Sequence, residues 1–156
     1  MSLITLQRLG PADVLSLRKL NTLFGQAFND SETYESEPPS DAYLETLLAK
    51  EHVIALVAKA GGEVVGGLVA YELDKFERMR REVYIYDLAV AQGYRRQGIA
   101  TALIEHLRAL SATRGVWVVY VQAAYRDDAA TALYDKLGAC EEVLHFDIAV
   151  APSKAE

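Results

Sequence analysis

Apolar residues change their period several times along this chain, and each change marks an element. "LITLQRL" near the start alternates weakly and predicts an opening strand. Gly10-Pro11 then leads into a helical period that places Leu17, Leu20, Phe24 and Phe28 on one face. "NDSETYESEPPS" has no apolar period and reads as an acidic loop, closed by a Pro pair and by Ser40 as N-cap for "DAYLETLLAK". "HVIALVAKA" and "EVVGGLVAYEL" are strand-like runs that meet at Gly61-Gly62, a hairpin signal. "EVYIYDLAV" is the strongest strand, rich in β-branched and aromatic residues.

From Gly98 the pattern is helical, with Ile99, Leu103, Leu107 and Leu110 as its stripe and Gly115 as its stop. "VWVVYVQA" is almost wholly apolar, which predicts a central strand buried on both faces. "DDAATALYDKLG" is a capped helix that starts at Asp127 or Asp128 and stops at Gly138, and "EEVLHFDIAV" predicts a closing strand. The order is β–α–α, a three-strand meander, then β–α–β–α–β, an α/β (α+β) mixed sheet with one parallel crossover at the Arg-rich turn.

Length and charge narrow the function classes. At 156 residues the chain suggests one domain with a real core. No apolar run is long enough to span a bilayer, and "MSLITLQRLG" lacks the cationic lead and cleavage site of a secretory signal. Cys140 is the only cysteine, so an internal disulfide is excluded and a small, semi-buried packing role is expected. A cytoplasmic protein is the expectation. The net charge of −6 and the lack of a basic stripe argue against nucleic acid, "ERMRRE" reading as a solvated connector. Acidity leaves room for a cationic ligand.

"YRRQGIATALIEHL" carries the first candidate chemistry. Gly98 removes a side chain where a ligand might approach, and Ala100 keeps the next turn thin. The first N–H groups of a helix lack intrahelical partners and carry partial positive charge, so a pyrophosphate fits there, with Arg95 or Arg96 adding charge. It is neither a Walker A loop nor a GxGxxG turn. Taken alone, the hexapeptide "RRQGIA" favours a structural turn.

With the strand "YIYDLAV" before it and "ALYDKLG" after it, this turn resembles the GNAT acetyltransferase superfamily, whose hallmark is Q/R-x-x-G-x-G/A. Together with "YVQAAYRDDAATALYDKLG" and "EEVLHFDI", the similarity extends to aminoglycoside 3-N-acetyltransferases of the GNAT type, from "RLGP" to "HFDI". Ala129 departs from the Pro expected there, and the lead-in "AQGY" is individual. The resemblance implies a GNAT-like, mostly antiparallel sheet flanked by helices, with a strand splay at the CoA site. It implies acetyl-CoA as co-substrate, with its pyrophosphate on the backbone of Arg95, Arg96, Gln97, Gly98, Ile99 and Ala100, followed by Thr101. Ile99 matches a variable position and reads as core. The pantetheine arm would pair with backbone at Leu88, Ala89 and Val90. GNAT relatives are often dimers, which leaves a homodimer open.

Acetyl transfer to an amine needs a neutral nucleophile, donors for the carbonyl oxygen, and a proton for the departing thiolate. Tyr134 stands where GNAT enzymes protonate the CoA sulfur, although a helix tyrosine also serves packing. Asp87 alternates with Val83, Ile85 and Ala89, so its carboxylate is expected on an apolar face, either paired structurally or turned to the acceptor amine. In the last strand Leu144, Phe146 and Ile148 take one face and Val143, His145 and Asp147 the other. An aminoglycoside is a polycation, and Asp127, Asp128, Glu142 and Asp147 are candidates to bind it, with acids of "NDSETYESE" as a lid. One of Asp127 and Asp128 is a helix cap, and His145 is a candidate base or a surface residue. No metal constellation appears in the sequence. The expected function is acetylation of the 3-amino group of 2-deoxystreptamine in an aminoglycoside, hence resistance. The alternatives are a GNAT acting on a polyamine or other small amine, and a non-catalytic acyl-CoA-binding module.

Overall fold

Runs rich in Val, Ile, Leu and Ala form four antiparallel strands in the structure, a computed structural model describing residues 3–151. Strands β1 (Ile4–Arg8), β2 (Val53–Ala60), β3 (Glu63–Asp74) and β4 (Arg81–Val90) pair in chain order. The β2–β3 hairpin turns at Gly61-Gly62, both at positive φ, as the sequence predicts. Strand β5 (Val116–Val121) then joins β4 in parallel after the crossover helix α4 (Ile99–Ala112). The result is a mixed α/β fold, with a five-stranded, mostly antiparallel sheet flanked by helices.

By packing, the chain divides into two compact units, Met1–Gln122 and Ala123–Glu156, and the sheet lies wholly in the first. Helix α1 (Val14–Ala27), entered through a 3-10 turn at Pro11–Asp13, buries Leu17, Leu20, Leu23 and Phe24. With Leu44 and Leu48 of α3 (Asp41–Ala49), they form one apolar cluster against Ala55, Val57 and Ala89. Ser40 caps α3 by accepting from Tyr43 N–H at 3.1 Å. Helix α4 buries Ile99, Leu103, Ile104 and Leu107. Glu72 is buried in β3 because Arg114 clamps both its oxygens, at 2.7 and 3.0 Å. A buried carboxylate is tolerable only with such partners.

Four expectations are corrected. The acidic segment is not all loop: Ser31–Glu35 forms a short helix, α2, because the Asp30 side chain accepts from Thr33 N–H at 3.2 Å. Strand β5 is not central, since β4 is its sole partner among the described residues, and Trp117 and Tyr120 are 54% and 38% exposed. Residues 139–149 form no strand; their apolar alternation meets no backbone partner, and Leu144, Phe146 and Ile148 stay exposed. Cys140 is exposed rather than semi-buried. In the second unit, α5 (Asp128–Leu137) keeps Ala130, Leu133, Tyr134 and Leu137 half-buried at helical spacing.

Gly67 is where α1 and β3 meet most closely. A Cβ there would sit 2.5 Å from Leu20 Cδ1 and 2.7 Å from the Leu56 carbonyl oxygen. The backbone oxygen has nowhere to move without breaking the β2–β3 ladder. Gly67→Ala is expected to destabilise the protein by about 1–3 kcal/mol, read as a lower urea midpoint at unchanged slope.

Candidate active site

Strand β4 changes character at Tyr86. Ile85 pairs with Ala70 but Asp87 pairs with Val69, so Tyr86 is an extra residue with no partner on β3. A bulge of this kind reverses which face the following side chains take. The expected alternation of Asp87 with Val83 and Ile85 is therefore broken, although Asp87 and Ala89 keep theirs. Asp87 turns to the face that α1 and α3 cover, where it lines a cavity of about 210 Å³. Leu17, Phe24, Leu44 and Leu48 supply apolar wall, and Asn21, Tyr43, Tyr71 and Tyr86 supply polar tips.

The Asp87 carboxylate has one protein donor among the described residues, Tyr34 of α2, whose hydroxyl gives a hydrogen bond to Oδ2 at 2.7 Å. No cation pairs with it there. Burial pushes the Asp87 carboxyl above the usual carboxylate range, and the Tyr34 hydrogen bond opposes that rise. Beside the cavity a tyrosine run continues along the sheet. Tyr71 meets Tyr86 edge-on at 6.0 Å, Tyr86 meets Tyr84 at 5.9 Å, and Tyr84 stacks on Tyr120 at 4.8 Å. Amphipathic rings around a half-buried anion suit a cationic, hydroxyl-rich guest.

On its other side β4 parts from its neighbour. Its pairing with β5 ends at Ile85–Val121, whereas its pairing with β3 runs on to Val90. Leu88, Ala89 and Val90 are thereby left without a strand partner on the β5 side, which is the splay expected from the resemblance. The chain then makes a 3-10 turn at Gln92–Tyr94 and passes through Arg96, at φ 63°, and Gly98, at φ 79°, before α4 begins. Gly98 caps α4 with no side-chain hydrogen bond, so the first N–H groups of Ile99, Ala100 and Thr101 have no cap partner. Arg95 turns its Nε to the Val90 carbonyl at 3.1 Å. Gln97 lies in the same exposed turn, and Ile99 is buried as core.

The second unit holds the remaining candidates. Asp127 is the cap of α5, accepting from Ala130 N–H at 3.0 Å, and Asp128 lies in the first turn. Tyr134 sits on the half-buried stripe of α5; burial first, then the Asp127 carboxylate, push its phenol up to about 12. Glu142 accepts from the Tyr125 hydroxyl at 2.7 Å. His145 and Asp147 bond each other at 2.8 Å, both well exposed. Among the described residues no group of three or more His, Cys, Asp or Glu residues is placed to hold a metal ion.

The profile of the Acetyltransferase (GNAT) family matches residues 18–139, most of the chain. The chain belongs to the GNAT acetyltransferase family. An aminoglycoside acetyltransferase from an uncultured soil metagenomic sample is 54% identical, covering 96% of this chain and 99% of its own, with a TM-score of 0.93. A second soil-metagenome aminoglycoside acetyltransferase, solved in complex with sisomicin, is 30% identical at TM-score 0.88, covering 95% and 97% of the two chains. A Drosophila melanogaster protein named Probable N-acetyltransferase san is 30% identical over 139 residues, 88% of this chain and 68% of its own length. The fold and family expected from "YIYDLAV" and "RRQGIA" are thus borne out, as is the resemblance to aminoglycoside acetyltransferases. The family's donor is acetyl-CoA. No helix among the described residues of this GNAT acetyltransferase is long and apolar enough to cross a membrane.

Tyr34, Tyr71 and Asn21 escape a reading of the sequence. The one available signal for Tyr34 is an aromatic ring set among Asp30, Glu32, Glu35 and Glu37, where a solvated loop needs none.

A raised carboxyl pKa in the folded protein means that the ionised form opposes folding. That penalty is absent below the unfolded pKa and fully present once pH exceeds the folded one. Asp87→Asn is therefore expected to melt higher than the parent at pH 7, with the advantage vanishing as the pH falls through the carboxylate range. An equal or lower melting temperature at pH 7 contradicts the burial of an unpaired charge.

Proposed function

We propose that this GNAT acetyltransferase transfers the acetyl group of acetyl-CoA to an amine of an aminoglycoside, the 3-amino group of 2-deoxystreptamine, and so confers resistance. The observation that carries the reading is the unpaired Asp87 carboxylate in the cavity beneath α1 and α3. An anion without a protein cation suits a cationic guest, and two aminoglycoside acetyltransferases at 54% and 30% identity share the fold over nearly their whole length. The whole chain acts as one catalytic domain in this reading, in the cytoplasm, where acetyl-CoA is available.

The donor side follows from the β4–α4 turn. The pyrophosphate takes the backbone from Arg95 to Thr101, Gln97 and Gly98 included, chiefly the uncapped N–H groups of Ile99, Ala100 and Thr101, since the Arg95 N–H already donates to the Gln92 carbonyl; the Arg95 and Arg96 side chains add counter-charge. The pantetheine amides pair with the backbone of Leu88, Ala89 and Val90 in place of a strand, and a backbone N–H there meets the developing oxyanion. On the acceptor side Asp87 orients the ammonium or relays its proton, leaving the amine lone pair to attack. The C–N bond forms, the C–S bond breaks, and the thiolate gains a proton. Tyr134 is its donor in this reading; a phenol raised to about 12 keeps its proton throughout the neutral range. Further attraction for a polycation comes from the carboxylates of Asp127, Asp128, Glu142 and Asp147, with His145 as a hydrogen-bonding neighbour or base, although Asp127, Glu142 and Asp147 already have partners. The exposed Leu144, Phe146, Ile148 and Val150 support a homodimer.

The test is thiol release from acetyl-CoA with gentamicin-, kanamycin- and spermidine-type amines, followed by NMR of the product. Turnover of the aminoglycosides with acetyl on the 3-nitrogen is expected. Activity on spermidine alone returns the polyamine reading, and no turnover on any amine returns the acyl-CoA-binding one. Tyr134→Phe is expected to lower kcat by about 10²-fold or more, with little change in either KM.

A further inference from the structure

Helix α2 has five residues, yet it is pinned more firmly than its length requires. Asp30 N–H donates to the Gly25 carbonyl at 2.8 Å, and Thr22 Oγ1 donates to Glu35 Oε1 at 3.0 Å. Gly25 leaves room for this approach: a Cβ on it would lie 3.4 Å from Tyr34 Cβ. The Tyr34 ring then packs at 5.9 Å from both Phe24 and Phe28. All of this fixes one phenol, and that phenol ends on Asp87.

A carboxylate on a bulged strand can rotate about its side-chain torsions unless something holds it. Tyr34 takes Oδ2, while Oδ1 has no protein donor among the described residues. Burial, then the bond to Asp87, hold the phenol far above its ordinary range, so it is a donor at every working pH. The titratable groups around this pair are Tyr84 and Tyr86 on β4, Tyr71 on β3, Asp30 before α2, and Tyr43 on α3, which lines the same cavity. None of them is a cation.

We propose that Tyr34 is a positioning residue that fixes Asp87 by one oxygen and leaves the other for the acceptor's ammonium, so that α2 governs acceptor binding. This rests on reading Asp87 as the acceptor-side carboxylate. It makes the acidic segment before the Pro pair part of the acceptor machinery rather than a loose lid.

Tyr34→Phe keeps the ring between Phe24 and Phe28 and removes only the hydroxyl. Titration of the Asp87 carboxyl by 13C NMR, without substrate, is expected to show its pKa higher in Tyr34→Phe than in the parent. Replacing Tyr34 by 3,5-difluorotyrosine, a stronger donor, is expected to move it lower. In turnover, the acid limb of kcat/KM should shift to higher pH in Tyr34→Phe. The amine KM should rise about 10-fold or more, a typical loss for a hydrogen bond to a charged group, while the acetyl-CoA KM stays within about two-fold. An Asp87 pKa equal in all three proteins overturns the proposal, as does a KM for acetyl-CoA that rises in step with that for the amine. Should the parent acetylate other amines but no aminoglycoside, the substrate reading falls, and the NMR titration still decides the role of Tyr34.

Discussion

Tyr86 stands in β4 with no partner on β3, and that single extra residue decides which face Asp87 takes. Without it Asp87 would share a face with Val83 and Ile85, two of the most deeply buried side chains in the sheet. A lone carboxylate there would carry a large desolvation penalty and have no route to a guest. With it, Asp87 reaches the cavity under α1 and α3, and past the bulge the strand has parted from β5, its pairing there ending at Ile85. One local irregularity thus lies between an anion exposed on one side of the strand and unpaired backbone on the other.

The two sides carry opposite electrostatics. Around Asp87 the polar side chains belong to tyrosines and an asparagine, with no cation among them, so the region favours cations. At the start of α4 the free N–H groups, Arg95 and Arg96 favour anions. Neither preference needs a moving part. The rigidity comes from ordinary packing, with Gly67 drawing α1 onto β3 and Ile99 anchoring α4 beneath its own turn.

Much of this is legible in the sequence. The alternation of "EVYIYDLAV", the hairpin at Gly61-Gly62 and the stripe from Ile99 to Leu107 follow from local periodicity, and "RRQGIA" marks its turn through Gly98. Asp87 is legible as an anomaly, a charge in an apolar strand. What hides is whatever depends on a partner far along the chain. The bulge at Tyr86 is set by register against Val69 and Ala70, and the Tyr34–Asp87 bond spans 53 residues. The apolar run "VWVVYV" looks central because composition reports hydrophobicity and not neighbours; its neighbour on one side is β4 and it has none on the other among the described residues. "EEVLHFDIAV" fails as a strand for the same reason, since alternation specifies a face but not a backbone to pair with.

In the proposed reaction Asp87 is the anion that receives the acceptor amine. Calorimetric titration of an aminoglycoside such as sisomicin into the parent and into Asp87→Asn, each with CoA bound, measures this without turnover. Asp87→Asn is expected to bind the aminoglycoside about 10-fold or more weakly while its affinity for CoA is unchanged, as for loss of one charge-assisted hydrogen bond. Equal aminoglycoside affinity in the two proteins would contradict it.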